Sequence, residues 1–191
     1  MKQLLLICAV VALMGGCGGK KDDPIPIGGL KSSPKAVPEK LIADPIVEKA
    51  VREELKKAVG KLTEADFEKV EQLYLDDKSL TSVEGLEKCT QLWNLDLNSN
   101  QLTELSKGLE KLTQLRWLRL DHNQLTDMKG LEKLTQLTTL RLDFNKLTDM
   151  KGLEKLTKLT YLDLRNNPAL TKAQVAELQK ALPNCRIYSN Q

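Results

Sequence analysis

Apolar positions recur along residues 70–170 with a nearly constant spacing. The five units start at Val70, Leu92, Leu115, Leu137 and Leu159. Successive starts are 22, 23, 22 and 22 residues apart. Within a unit, apolar and polar residues alternate, as in "LRWLRL", where Leu118 and Leu120 fall on one side of an extended segment. Alternation with period two is typical of a β-strand with one buried face, so the sequence predicts one short strand per unit.

A single unit cannot fold alone. The apolar side chains that it buries stabilise it by less than the conformational entropy lost when its 22 residues become ordered. Neighbouring units must therefore stack, which adds ladder hydrogen bonds and buries both faces of each unit. Stacking of equivalent strands predicts a curved, parallel sheet.

Two further features recur along the units. In the first four units a glycine precedes the run "LEKLT" ("LEKCT" in the first), which predicts a tight turn followed by a short helical or 3₁₀ segment on the convex side, with its Glu and Lys columns in solvent. An asparagine follows each strand except the first, where Lys78 takes its place. These amides are predicted to be buried and to bond the backbone of the turn and of the adjacent unit. The column consists of Asn100, Asn123, Asn145 and Asn167.

The unit L-x-x-L-x-L-x-x-N-x-L-T-x-x-x-G-L-E-K-L-T-x resembles the leucine-rich repeat, in the short bacterial form found in the internalins. The resemblance covers residues 70–170. It implies an α/β leucine-rich-repeat solenoid, with a curved parallel sheet on the concave face and short helices or 3₁₀ turns on the convex face.

Both ends of the repeats carry segments that can cover the exposed core. Residues 41–69 predict a helical N-terminal cap, with Asp44 as N-cap, Pro45 in the first turn and a Thr63–Asp66 capping box. The helical spacing continues through Val47, Val51, Leu55 and Val59. A calcium-binding or enzymatic helical domain is the alternative, but no acidic ligand spacing supports it.

The C-terminal cap is predicted over residues 171–191. Thr171 and Gln174 form a second capping box, and Val175, Leu178 and Leu182 lie on one helical face. After Pro183, "CRIY" predicts a last strand whose Ile187 closes the core.

The N-terminus has the plan of an export signal. Lys2, an 11-residue apolar run and small residues fill 1–16, and Cys17 follows. This resembles a bacterial lipoprotein signal, which implies lipidation of Cys17 and an exported protein anchored at the cell envelope. Gly18 in place of Asp favours the outer membrane. Residues 17–40, rich in Gly, Pro, Ser and Lys, predict a flexible tether. A plain secretory signal with a chance cysteine is the alternative.

Composition narrows the function. Lys and Arg number 29 and Asp and Glu 26, without a basic block, which argues against nucleic-acid binding. The single histidine and the four scattered cysteines match no metal site, and no base lies beside a nucleophile. We therefore predict no catalysis, no metal and no cofactor. Asp76, Asp77, Asp121 and Asp143 near strand ends either attract a cation or form polar surface, and the latter is favoured. Cys89 and Cys185 are predicted to be unpaired thiols.

The positions that vary between units are the candidate binding residues. They project from the concave strands. Four of the chain's seven aromatic residues fall among them, and Trp93 lies just beside them. Tyr, Trp and Arg on a rigid surface are typical anchors of protein interfaces. The predicted contact residues are Tyr74, Trp93, Asp96, Trp117, Arg119, His122, Arg141, Phe144, Tyr161 and Asp163.

We expect a monomer that binds a protein partner through this face and touches the membrane only through its anchor. A structural envelope lipoprotein without a specific partner, with aromatics scattered by chance, is the alternative.

Overall fold

Six short strands form one parallel sheet in chain order. The computed structural model describes residues 42, 44–105 and 108–190. The strands are β1 (Gln72–Tyr74), β2 (Asn94–Asp96), β3 (Trp117–Arg119), β4 (Thr139–Arg141), β5 (Tyr161–Asp163) and β6 (Arg186–Tyr188). Each strand pairs with the next at equivalent positions, so that Leu95 lies between Leu73 and Leu118. The predicted leucine-rich-repeat solenoid is confirmed.

Four 3₁₀ helices lie opposite the sheet, each directly after a glycine with positive φ. Their bounds are Leu86–Lys88, Leu109–Lys111, Leu131–Lys133 and Leu153–Lys155. Gly130 and Gly152 both have φ of +93°, a conformation that L side chains rarely adopt. The carboxylate of Glu132 accepts a hydrogen bond from the Gly130 N–H at 2.8 Å, and Gly85 and Gly152 make the same bond. The glutamate column is therefore not simply solvated, because three of its members fix the turn.

The core is a continuous stack of leucines between the sheet and the 3₁₀ helices. It extends from Ile42 to Cys185, and the central residue of every strand belongs to it or packs against it. Cys89 takes a leucine position and is fully buried. Cys89 and Cys185 are both free, as predicted. Burial raises the pKa of Cys89 to about 12 and that of Cys185 to about 11, so both thiols remain protonated at neutral pH.

The asparagine column forms a buried ladder along the strand exits. The Asn123 side-chain amide donates to the carbonyls of Leu97 at 3.0 Å and Leu120 at 3.1 Å. Its oxygen accepts from the Leu102 N–H at 3.0 Å. One side chain thus satisfies backbone groups of its own turn and of the preceding repeat, where they are shielded from water. Asn100, Asn145 and Asn167 repeat this arrangement.

The N-terminal cap is a helix pair shorter than predicted. Helix α1 (Pro45–Glu54) begins at the Asp44 N-cap and buries Val47 and Val51. It does not reach Val59, which is largely exposed. The prediction of a longer helix is wrong because Lys56 has φ of +52°, which turns the chain. Helix α2 (Glu64–Phe67) carries the predicted capping box, and hydrogen bonds, first from Lys57, lower the pKa of Asp66.

The C-terminal cap follows the prediction. Helix α3 (Lys172–Ala181) has the Thr171–Gln174 capping box and buries Leu178. Strand β6 then extends the sheet, with Ile187 next to Leu162 and packed against the core. Within the described ranges, no helix combines the length and apolar character needed to cross a membrane. The predicted signal, the tether and Cys17 lie outside the described residues.

Candidate binding face

One face of the sheet carries two columns of variable side chains. The central residue of each strand points into the core, so the first and third residues point away from it. We call these two columns the open face. The first column is Gln72, Asn94, Trp117, Thr139, Tyr161 and Arg186, and the second is Tyr74, Asp96, Arg119, Arg141, Asp163 and Tyr188. The observed register places Trp117 beside Thr139 and Arg119 beside Arg141, as predicted.

The adjacent arginines are compensated by carboxylates on both sides. Arg119 Nη1 lies 2.9 Å from Asp96 Oδ2, and its Nε lies 3.3 Å from Asp121 Oδ1. Arg141 Nε lies 3.5 Å from Asp143 Oδ1 and 3.8 Å from Asp121 Oδ1. Burial alone would lower the pKa of Arg119, but the bond and charge of Asp121 outweigh it and raise this pKa. The charges of both arginines are therefore compensated by neighbouring aspartates without a ligand.

The aspartates around the arginines of the open face are buried. Asp96 is 8 % exposed and Asp163 is 0 % exposed, so neither carboxylate offers much surface to a partner. The reason is size, because the short carboxylates lie beneath longer side chains. Arg165 covers Asp163 and donates to it at 2.6 and 2.9 Å. Asp121 and Asp143 are also buried, which corrects their interpretation as polar surface.

Two buried aspartates have opposite pKa shifts. Burial would raise the pKa of Asp163, but the hydrogen bonds from Arg165 outweigh it and lower this pKa. For Asp143, burial and the neighbouring charges of Asp163 and Asp121 raise the pKa more than Arg141 lowers it. Among the described atoms, neither Asp143 Oδ1 nor Arg141 Nε has a hydrogen-bond partner. Asp143 is thus less well compensated than Asp163.

The seventh and eighth residues of each unit follow the strand and form what we call the exit rim. His122 and Phe144 occupy equivalent rim positions with φ of +54° and +55°. Their rings stack with centroids 4.2 Å apart and planes at 17°. This left-handed backbone also brings His122 Nδ1 to 3.4 Å from Asp121 Oδ2. Strand-like alternation would have placed Asp121 and His122 on opposite sides, but the positive φ of His122 brings the two side chains together.

Asp121, His122 and Asp143 form a cluster whose ligand-type atoms all lie within 4.8 Å of one another. The cluster has the donor types of a cation site. However, two guanidinium groups already lie within 3.3–3.8 Å of Asp121 Oδ1. Asp121 is therefore already paired with positive charge.

Exposed aromatic side chains lie along the open face and its rim. Tyr74, Trp117 and Phe144 are 55, 54 and 47 % exposed. Tyr161 is half-buried and packs against Tyr188, with ring centroids 5.2 Å apart. Arg186 lies 5.2 Å and Arg165 5.7 Å from the centre of the Tyr188 ring. The contact residues predicted from the sequence did not include Arg165, Arg186 or Tyr188. The predicted final strand "CRIY" could have placed Tyr188 in the second column of the open face.

Trp93 lies outside the open face. It precedes β2, is half-buried, and lines a groove of about 720 Å³ at the edge where the strands begin. Trp117 also lines this groove. The predicted contact residues therefore divide between two neighbouring surfaces joined at Trp117.

Comparisons with known proteins agree with the repeat architecture. The family profile described as leucine-rich repeats (2 copies) matches residues 113–155 and 135–180. The structure is similar to an internalin (InlF) of Listeria monocytogenes, with 25 % identity, a TM-score of 0.57, and coverage of 78 % of this chain and 51 % of the internalin. It is also similar to a leucine-rich-repeat protein of Leptospira interrogans, with 28 % identity, a TM-score of 0.60, and coverage of 68 % and 34 %.

The chain thus spans about half of the first protein and a third of the second. No curated protein sequence matches it significantly. The matched repeats are generally protein–protein interaction modules.

Proposed function

We propose that this chain is a non-catalytic module that binds a protein through the open face and exit rim of its repeats. We further propose that it works at the bacterial cell envelope, held there by a lipid on Cys17. The repeat fold supports the first part, and the signal-like N-terminus supports the second.

The observation that carries the proposal is the position of the exposed large hydrophobic side chains. Among the described residues there are five, and three of them, Tyr74, Trp117 and Phe144, lie on the open face or its rim. Leucine fills the core, so packing does not require aromatic residues there. Large aromatic side chains bury much area at low entropic cost, which makes them frequent interface anchors.

The charged centre of the face supports recognition of a polar partner. The guanidinium groups of Arg119, Arg141 and Arg165 remain between a third and a half exposed while their aspartate partners are buried. A partner therefore meets preorganised donors, which favour carbonyl and carboxylate groups. Because the aspartates already engage these arginines, the centre is better suited to binding than to proton transfer.

The rim pair offers a direct test that spares the fold. His122 and Phe144 have left-handed backbone, and Asn166 has the same conformation at the equivalent position of the fifth repeat. His122→Asn with Phe144→Asn therefore places an accepted residue at both sites. The double variant should weaken capture of the partner from envelope extracts by about tenfold or more, because losing an interface anchor costs about 2 kcal/mol.

Lys129→Asn is the matched control, since Lys129 is highly exposed on the 3₁₀ side. It should capture the partner like wild type, and all three proteins should melt at nearly the same temperature. Equal capture by the double variant would remove the rim from the interface.

The anchor is tested by fractionation. Cys17→Ala removes the sulfur to which the lipid would be attached, and Cys17 is the one lipid site that we propose. Stable anchoring generally takes two or more acyl chains. The variant should move from the membrane fraction to the soluble fraction, whereas a variant that remains with membranes would contradict lipid anchoring at Cys17.

A further inference from the structure

A second surface lies at the edge where the strands begin, which we call the entry groove. Its volume is about 720 Å³, and the end of the N-terminal cap and the first three repeats line it. Small-ligand sites typically measure about 300–1,000 Å³. Both tryptophans of the chain, Trp93 and Trp117, belong to this groove.

The groove exists because the residue preceding each strand changes along the solenoid. In the last two repeats this residue is threonine, and its hydroxyl bonds the preceding repeat. Thr138 Oγ1 donates to the Arg116 carbonyl at 3.1 Å, and Thr160 Oγ1 to the Thr138 carbonyl at 3.0 Å. In the first three repeats the same position holds Glu71, Trp93 and Arg116. Here only the backbones bond: the Trp93 N–H donates to the Glu71 carbonyl and the Arg116 N–H to the Trp93 carbonyl, each at 2.9 Å. Their long side chains project and form the groove.

The residue before the first apolar position of each unit shows the same contrast. In the later repeats, Lys158 Nζ donates to Gln136 Oε1 at 2.6 Å, which joins two side chains into a rung. In the earlier repeats the position holds Gln91 and Gln114, which both line the groove. Neither amide bonds another side chain in the part of the chain that the structure describes.

The polar groups of the groove are therefore available to a ligand. Glu68 and Glu71 offer carboxylates, Gln91 and Gln114 offer amides, and Arg116 offers a guanidinium. Within the described ranges, none of these five side chains has a hydrogen bond or ion pair with another residue. Together they supply hydrogen-bond donors and acceptors in a groove that two indole rings also line.

The chemistry of the lining identifies a class of ligand. Among the residues that the structure describes, no aliphatic side chain lines the groove, so this lining lacks the apolar pocket that an anchor side chain of a peptide fills. A pyranose ring has an apolar face of C–H groups that stacks on an indole, and hydroxyl groups around its rim that both donate and accept. We propose that the entry groove binds a pyranose oligosaccharide, with Trp93 and Trp117 as stacking platforms.

The charges restrict the sugar further. Two carboxylates and one guanidinium leave the lining with one net negative charge. Strongly anionic polysaccharides are therefore disfavoured by repulsion, and neutral or amino sugars fit the groove. This site is separate from the protein-binding face and shares only Trp117 with it.

Intrinsic fluorescence gives a direct measurement, because the only two tryptophans of the chain line the groove. The full chain carrying Cys17→Ala is titrated with cellohexaose, chitohexaose and maltohexaose. We expect a saturable change in tryptophan emission with at least one of them. Trp93→Ala, and separately Glu71→Ala with Gln91→Ala, should weaken binding by about tenfold or more. Melting temperatures check that both variants are folded.

His122→Asn with Phe144→Asn is the control and should bind the sugar like wild type, since neither residue lines the groove. Absence of a saturable change with all three sugars would overturn the proposal. Saturation by a lysine-rich peptide and not by the sugars would overturn the class of ligand. Because the control variant tests the rim alone, either proposal can fail while the other stands.

Discussion

Aspartate has two opposite effects on stability within the same charged cluster. Asp163 accepts two short bonds from Arg165, which lowers its pKa. Asp143 is buried near Asp121 and Asp163, which raises its pKa. A carboxyl group stabilises the folded state at neutral pH when its folded pKa is lowered, and destabilises it when that pKa is raised. The two residues should therefore respond oppositely to loss of charge.

Asp163→Asn should lower the free energy of unfolding at pH 7 by about 2 kcal/mol, because hydrogen bonds to a charged group typically contribute about that much. Asp143→Asn should raise it, because the amide removes a charge that the fold disfavours. Urea unfolding of both variants and wild type measures these changes. Shifts of both variants in the same direction would contradict the assigned compensation.

The pH dependence follows from the same signs. The contribution of Asp163 is present above the unfolded pKa of about 3.9 and disappears as pH falls through the lower folded value. The cost of Asp143 is present above its raised folded pKa and disappears as pH falls toward about 3.9. Asp163→Asn should therefore lose less stability than wild type on acidification.

Residue orientation was predictable from the sequence, whereas residue burial was not. Alternation with period two correctly placed Asp96 and Asp163 on the same side of the sheet as Trp117. It did not reveal that arginine and tyrosine side chains cover these short carboxylates. Whether a carboxylate is covered depends on side chains from other repeats. The left-handed backbone of His122 likewise cannot be predicted from the alternation of apolar and polar residues.

At the scale of the elements, the same glycine turn precedes each 3₁₀ helix. Glycine provides the positive φ, and the glutamate two residues later accepts from its N–H. The sequence predicted the turn and the 3₁₀ helix from the glycine and the "LEKLT" run. It missed the role of glutamate, and it extended α1 beyond Glu54 because helical spacing alone does not identify the turn at Lys56.

Two glycines with the same backbone allow a matched test of this turn. Gly130 and Gly152 both have φ of +93°, but a Cβ at Gly152 would lie 3.0 Å from the Glu132 Cβ, against 3.8 Å from the Glu110 Cβ at Gly130. Gly130→Ala should lower the free energy of unfolding by about 1–2 kcal/mol through backbone strain alone. Gly152→Ala should cost more, because the contact adds to the strain.

Urea unfolding of the two variants measures the difference between them. A loss of stability from Gly130→Ala that equals or exceeds that from Gly152→Ala would contradict the role given to the neighbouring glutamate.

The whole molecule separates a constant scaffold from variable surfaces. Leucines, asparagines and glycines recur in register along six strands and hold the repeats together. The residues of the open face and of the exit rim vary between repeats, and they include the exposed aromatic side chains Tyr74, Trp117 and Phe144. Sequence periodicity predicted this division and the strand register, since both follow from spacing. It did not predict the entry groove, which depends on side chains from three repeats meeting at one edge.

The most direct test of the proposed function is site-specific photo-crosslinking in intact cells that produce the protein. A benzophenone amino acid replaces Phe144 on the exit rim in one variant and Lys155, an exposed residue of the last 3₁₀ helix, in another. We expect a discrete protein adduct from position 144 after irradiation and none from position 155. Equal adducts from both positions, or an adduct from position 155 alone, would contradict binding through the open face and its rim.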